Sequence, residues 1–234
     1  MRLIELKQAE LKSIDEKQRE HEYRGRIHDY FPEDGPLRRD LYEKHMEFFK
    51  AGSKFIERCF MAGNRVGKSE SGGGYETVLH LTGLYPDWWE GRRFDNPVRA
   101  LAAGDTSQTT RDIIQKKMLG DVYDMGKGLI PKDCIGSHSS KAGVSGGIDT
   151  IKIRHVSGGD SELIFRSYDQ GRRIFQGIEL DVVWFDEEPP LDVYSEALIR
   201  TMTTGGITML TFTPLSGMSE TVMSFLPQEY QLES

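Results

Sequence analysis

The chain has 234 residues, 29% of them charged and 37% hydrophobic, with 37 acidic against 30 basic side chains and a formal charge of −7. That size and mixture suit one substantial folded core with a small appendage at most. The acidic balance excludes a surface coated in basic residues for nucleic acid, although a local basic track remains compatible with it, because counterion release depends on the contacting face. Cys59 and Cys134 are the two cysteines and form no C-x-x-C pattern, so a reduced, intracellular setting is expected instead of a disulfide scaffold. No apolar run approaches the roughly 18 residues of a membrane span, and residues 1–22 are too charged for a secretory signal; a cytosolic protein without a membrane partner is expected.

In chain order, residues 1–24 place Leu3, Ile4, Leu6, Leu11 and Ile14 among many Lys and Glu. This reads as a helix with a weak apolar stripe, either lying on the domain or forming an arm that needs a partner. Pro32-Glu33-Asp34-Gly35-Pro36 is a turn that separates this arm from the rest of the chain. Leu41, Tyr42, His45, Met46, Phe48 and Phe49 then recur at helical spacing, as a core stripe that is also well placed to flank a nucleotide base. An apolar run from Phe55 leads into the stretch Cys59-Phe60-Met61-Ala62-Gly63-Asn64-Arg65-Val66-Gly67-Lys68-Ser69, and a helix is predicted over 69–81. The loop at 83–93 must tuck Trp88 and Trp89 against something.

Residues 98–103 predict a second buried strand, and Thr106 or Ser107 can cap a helix over 108–119. The region 120–147, rich in Gly, Ser and Lys, reads as an irregular insertion. Residues 148–156 and 161–168 alternate, with a hairpin turn at Ser157-Gly158-Gly159-Asp160 between them. Residues 181–186 are a continuous apolar run ending in an acid, the pattern of a buried parallel strand. A helix over 193–202 and a strand over 207–213, closed by Pro214, complete the series. Strands alternating with helices imply an α/β fold with an open, mostly parallel central sheet flanked by helices, plus the antiparallel hairpin. Ligands bind such sheets at the carboxyl ends of the strands.

Two motifs fall at those ends. The first ends in Gly67-Lys68-Ser69, with Ala62 at its first position and a glycine one place later at Gly63. It has the form of a phosphate-binding loop: small residues let backbone N–H groups curl round phosphate oxygens, and the following helix turns its positive end to the same anion. Lys68 would reach the β- and γ-phosphates and the Ser69 hydroxyl would bind Mg²⁺. The second, Asp186-Glu187-Glu188, is Walker-B-like. Asp186 would hold Mg²⁺ opposite Ser69, while Glu187, one residue further on, could orient or deprotonate a water in line with the γ-phosphate. A kinase has no use for a water-activating glutamate, so an ATPase is expected. Arg65, within the loop, could offset transition-state charge in cis. Hydroxyls of Thr211-Phe212-Thr213-Pro214 could sense the γ-phosphate and relay hydrolysis to a moving segment.

With these residues in place, the sequence resembles the ATPase domain of the large terminase subunit of tailed bacteriophages, the motor that packs DNA into procapsids. The likeness runs from about Leu41 to Gly217, and Leu81-Thr82-Gly83-Leu84-Tyr85-Pro86-Asp87-Trp88-Trp89 and Asp186-Glu187-Glu188-Pro189 carry it with the phosphate loop and 211–214. The resemblance implies an ASCE-type P-loop NTPase that binds ATP and Mg²⁺. It implies a loop of Ala62, Gly63, Asn64, Arg65, Val66, Gly67, Lys68 and Ser69, metal ligation by Ser69 and Asp186, and catalysis by Glu187 with Arg65 and Lys68. It further implies coupling through Thr211 and Thr213, and Tyr42, His45 and Phe48 near the adenine. Where the family often has Arg-Gly before the acidic strand, this chain reads Phe175-Gln176-Gly177, so Arg172 or Arg173 just upstream takes the trans role, or Arg65 acts alone in cis.

The expected division is a helical arm and linker over 1–36, an ATPase core over 37–217, and over 218–234 the start of a linker to a nuclease domain that this chain lacks. The expected activity is ATP hydrolysis that drives double-stranded DNA into a procapsid. The resemblance implies a homo-oligomeric ring at the procapsid portal vertex in the host cytoplasm, with the portal protein and the small terminase subunit as partners. Lys116, Lys117, Lys127, Lys132 and Lys141 are candidates to grip DNA phosphates, and Arg92 and Arg93 to make subunit contacts. A helicase-like nucleic-acid-stimulated ATPase would share the core but need a second one in tandem. A nucleotide-binding switch without turnover fits poorly with intact Lys68, Asp186 and Glu187.

Overall fold

A computed structural model describes residues 26–215 and 217–226, so the arm expected over 1–24 and the last part of the expected linker lie outside the described residues. The apolar runs form the strands β1 (Glu57–Met61), β2 (Arg99–Gly104), β8 (Val182–Asp186) and β9 (Ile207–Phe212). The alternating segments form the hairpin β6 (Ile148–Arg154) and β7 (Asp160–Ser167). Within the region expected to be an irregular insertion, the chain forms the short strands β3 (Gly120–Asp121) and β4 (Asp124–Met125) and a full strand, β5 (Ile135–Ser140). That correction has a physical reason. β5 is an edge strand of mostly exposed polar residues, Gly136 to Ser140, and takes its extended form by pairing with β6, not from an alternating pattern of its own.

The main sheet runs β1-β9-β8-β2-β7-β6-β5, parallel from β1 to β7 and antiparallel at the β7–β6–β5 end. Register places Met61 beside Phe212, Asp186 beside Thr211 and Ala103 beside Phe185, so the ends of these strands form one row. Alternation divides β8 between the two faces: Val182 and Trp184 enter one core, Val183 and Phe185 the other. The first core lies under α1 (Glu43–Ala51), α2 (Tyr75–Thr82) and the helical stretch of α3 (Ser107–Thr109), Thr110–Gln115 and α4 (Lys116–Leu119). The second lies under α5 (Leu191–Met202) and α6 (Glu220–Ser224). Thr106 caps α3, its hydroxyl accepting the Thr109 amide at 3.1 Å.

The expected helix after the phosphate loop begins as a π-helical turn, Lys68–Gly74, and becomes α-helical only at Tyr75. Its glycines bring it onto the sheet. A Cβ on Gly73 would lie 2.1 Å from Nε1 of Trp184, whereas one on Gly72 would meet Phe60 at 3.3 Å. Residues before the Pro32–Pro36 turn also join the core: Ile27 and Phe31 are buried, and the Phe31 ring meets those of Tyr42, Phe49 and Tyr75 edge-on. Trp89 is buried with its Nε1 donating to the Arg92 carbonyl at 2.9 Å, and Trp88 stacks on Tyr75. Arg92 and Arg93 lie over Phe94 and Tyr85, fastening this loop.

A buried polar chain ties β1 to α2. Arg58 makes two bonds to Glu76, at 2.6 and 3.0 Å, and one to the Phe48 carbonyl at 2.8 Å. His80 lies 3.2 Å from Glu76 through Nε2 and 2.8 Å from the Tyr85 hydroxyl through Nδ1, and that hydroxyl accepts the Phe94 amide. Burial alone would raise the Glu76 carboxyl, but Arg58 and His80 outweigh it and hold it below its ordinary range. Burial depresses His80 and keeps its ring neutral, donating from Nε2.

This packing sets the response to substitution and to pH. Gly73→Ala should destabilise the fold by about 3 kcal/mol or more in denaturant unfolding, because the indole cannot move aside in a packed core, while Gly72→Ala should stay within about 1 kcal/mol. Glu76 and His80 both have depressed folded pKa values, so the unfolded chain binds more protons as pH falls. Wild-type stability should therefore fall as pH drops below 6.5 and again below 4.5, the ordinary values of His and Glu, and Glu76→Gln should flatten the lower of these two losses.

Candidate active site

The turn after β1 is pinned from beneath. Gly67 has φ +83°, and a Cβ there would lie 2.4 Å from the Ser71 hydroxyl. Its carbonyl accepts from the Ser71 amide at 2.8 Å and hydroxyl at 2.7 Å, and the His45 ring bonds it as well. Burial pushes His45 down to about 4, so it is a neutral brace under the loop, with Tyr42 edge-on against it. The opposite side of the loop is open. Gly63, Asn64, Arg65, Val66 and Gly67 are exposed, and none of their amides donates to another described residue. Arg65 holds φ +65° with its side chain in solvent. Ala62 joins the loop to the sheet, donating to the Phe212 carbonyl at 3.3 Å and accepting the Thr213 hydroxyl at 2.9 Å.

Lys68 is 5% exposed, yet has no carboxylate within ion-pair distance among the described residues. Its Nζ donates to the Thr213 hydroxyl at 2.7 Å and reaches the Gly63 carbonyl at 3.4 Å. Asp186, on the same face of β8 as Trp184, is 5% exposed and accepts from the Ser69 and Thr211 hydroxyls, the latter at 3.0 Å. Thr211 is fully buried, and its oxygen accepts the Trp184 indole at 2.8 Å. Burial raises the Asp186 carboxyl, with Ser69, Lys117, Thr211 and Lys68 pulling it back only in part. Glu187 is raised first by burial and then by Asp186, against Lys68, the Thr213 amide and Lys117. Lys68, Ser69, Asp186, Glu187 and Thr213 therefore share one crevice.

The remaining expected residues fall in several places. Thr213 touches both Lys68 and Glu187, whereas Thr211 sits beneath the surface as a partner of Asp186. Arg172 and Arg173 are exposed on the 3-10 turn Arg172–Phe175. Lys116 and Lys132 are exposed, Lys127 pairs with Asp124 at 2.5 Å, and Lys141 bonds Gln170 at 3.1 Å. Lys117, expected with them as a grip residue, also lies near enough to Asp186 and Glu187 for its charge to lower both carboxyls. A sequence gives no sign of that, because it depends on α4 packing beside the loop helix. A cavity of about 700 Å³ adjoins the loop at Ala62 and Val66, walled by His45, Phe48, Phe60 and Phe225.

The strand that feeds the loop and the strand that ends in the acid are separated by one more strand, β9, and this makes the protein a P-loop fold of ASCE type. A family model described as "Terminase large subunit, T4likevirus-type, N-terminal" matches residues 59–233, and the chain belongs to that family. It is 40% identical over 205 residues to the large terminase subunit of Salmonella phage P22, an alignment that takes in 79% of this chain and 41% of that protein. The chain thus spans about two fifths of its relative's length. Among solved structures, the large terminase of a thermophilic bacteriophage aligns over 74% of this chain and 38% of its own, at 14% identity and a TM-score of 0.49. The same protein in complex with ADP aligns over 72% and 38%, at 16% identity and a TM-score of 0.47. No helix of the described residues is long and apolar enough to cross a membrane.

The donor set suits Mg²⁺: a hydroxyl and a carboxylate, both hard oxygen ligands, meet where burial leaves the carboxylate short of positive charge. Since its folded pKa is raised, the Asp186 carboxyl favours folding when protonated and opposes it once pH rises through that value. Asp186→Asn should therefore raise the thermal midpoint of the ligand-free protein at neutral pH by about a few degrees. Added Mg²⁺ should raise the midpoint of the wild type and leave that of Asp186→Asn unmoved; paired thermal melts check both.

Proposed function

We propose that this chain is the Mg²⁺-dependent ATP-hydrolysing part of a DNA-packaging motor. The single observation that carries this reading is the meeting of Lys68 and Ser69, from the loop, with Asp186 and Glu187, from the end of β8, in a chain of the terminase large-subunit family. The open amides of 63–67 and the carboxylate-free Lys68 suit phosphate oxygens, and the aromatic cavity beside Val66 suits the base. Ser69 and Asp186 would hold Mg²⁺, which supplies positive charge to the phosphate oxygens when bound.

Glu187 is suited to take or share a proton of an attacking water, because burial and Asp186 lift its carboxyl toward the working pH. The amide of Thr213 orients that carboxylate, while the Thr213 hydroxyl holds Lys68 when no phosphate does. Lys68 leaving Thr213 for a phosphate would loosen the end of β9 and the segment beyond it. That segment is already docked on the acidic turn, since Ser219 caps α6 and also bonds Glu188. Thr213 is thereby the coupling residue, with Thr211 a support for Asp186.

Arg65 extends from the loop into solvent, where it can act in cis; Arg172 and Arg173, equally exposed, can reach a neighbouring copy in a ring. The work done is the translocation of double-stranded DNA, held by its phosphates without regard to sequence, into a procapsid at its portal vertex. The motor's other partners are the portal protein and the small terminase subunit.

Glu187→Gln should retain nucleotide binding while turnover falls by about 10²- to 10⁴-fold, the usual worth of a general base. Lys68→Ala should weaken both binding and turnover. Equal steady-state ATPase rates for Glu187→Gln and wild type would remove the assigned role.

A further inference from the structure

The turn that carries Glu187 is strained, and it is held from behind. Glu187 has φ +72°, a left-handed conformation that costs a glutamate energy and persists only where neighbours enforce it. Its amide donates to the Thr211 carbonyl at 3.0 Å, which fixes one side of the peptide. On the other side stands Tyr168, at the start of the 3-10 turn Tyr168–Gln170 that comes after β7. Its hydroxyl lies 2.9 Å from the Glu187 carbonyl, 3.1 Å from that of Asp186 and 3.2 Å from that of Ala103. One phenolic proton thus serves three carbonyl oxygens from the ends of two adjacent strands. Tyr168 is 6% exposed and its ring packs 5.8 Å from that of Phe185, so no water replaces it without displacing the ring. Burial also holds its proton far above the usual phenol range, leaving it a donor.

We propose that Tyr168 is a positioning residue for Glu187: by drawing the carbonyls of Asp186 and Glu187 toward that of Ala103, it keeps the Glu187 backbone left-handed and its carboxylate on the Thr213 amide. This rests on Glu187 being the group that orients the attacking water. Without the hydroxyl, three carbonyl dipoles converge with no donor between them, and the turn relaxes toward an ordinary backbone conformation. The carboxylate then leaves the Thr213 amide, while Lys68, Ser69 and the loop amides keep their places. The loss falls on the chemical step and not on nucleotide binding.

Tyr168→Phe keeps the ring and removes one oxygen. Its kcat for ATP should fall by about tenfold to a hundredfold, the scale of a catalytic group displaced by an ångström, with KM and the affinity for a non-hydrolysable ATP analogue within about twofold of wild type. Tyr168→Phe/Glu187→Gln should be no slower than Glu187→Gln alone. An unchanged kcat, a parallel loss of affinity, or multiplied losses in the double variant would overturn the proposal. Wild-type turnover by Glu187→Gln would instead sink the catalytic assignment, and the clamp would then be read from stability. Glu187→Gly takes a positive φ without strain, so Tyr168→Phe should lower the thermal midpoint less in that background than in wild type. That measurement also serves if Tyr168→Phe alone does not fold, and equal losses in the two backgrounds would contradict the clamp.

Discussion

A carboxylate at the end of an apolar strand has to be held by something, and Asp186 is held from two sides. Thr211 reaches it from the neighbouring strand and Ser69 from the loop helix, while Trp184 fixes Thr211 and rests its indole in the gap left by Gly73. These contacts join the loop, the acidic strand and the strand between them. They leave the carboxylate without a full countercharge, because Lys68 is committed to Thr213 and acts on it only from a distance. A site short of positive charge at Asp186, and of negative charge at Lys68, suits the metal-bound polyphosphate of the function we propose.

Much of this arrangement can be read without coordinates, where a residue's part depends on its own segment. The continuous apolar runs at 98–103 and 181–186 mark buried parallel strands because both faces of the sheet are covered. Gly67-Lys68-Ser69 marks the loop because only glycine suits φ +83° there. The strand β5 is invisible in Ile135 to Ser140 because the pattern that makes it a strand belongs to its neighbour, β6. The left-handed backbone of Glu187 arises from contacts of Tyr168 and Thr211, residues distant in sequence. Lys117 looks like any surface lysine until α4 is folded beside the loop. His45 has the aromatic spacing of a base-flanking helix and walls the cavity beside the loop, and its bonds to the Gly67 carbonyl and Ser71 add a brace under the loop that its spacing does not announce.

The site is joined to the rest of the chain on two sides. Through Glu76, His80 and Tyr85, α2 is tied to the tryptophan loop by polar bonds that are buried at Glu76 and part-buried at Tyr85, so the loop helix and that loop are fastened to each other. Through Glu188 and Ser219, the acidic turn is tied to α6, and Phe225 just beyond packs on Tyr194 and walls the cavity beside the phosphate loop. The cavity beside the loop, the acidic turn and the departing chain therefore share contacts, and a change at Thr213 has a physical route outward.

Every other assignment turns on the proposed metal site, for which Ser69 from the loop and Asp186 from the end of β8 would supply the ligands. Crystals grown with Mn²⁺ and a non-hydrolysable ATP analogue would locate it by anomalous scattering. The expected result is one manganese peak in contact with both the Ser69 hydroxyl and the Asp186 side of the crevice, with Lys68 moved from Thr213 to the phosphates. A peak that touches neither residue, or a triphosphate bound away from 62–69, would contradict it.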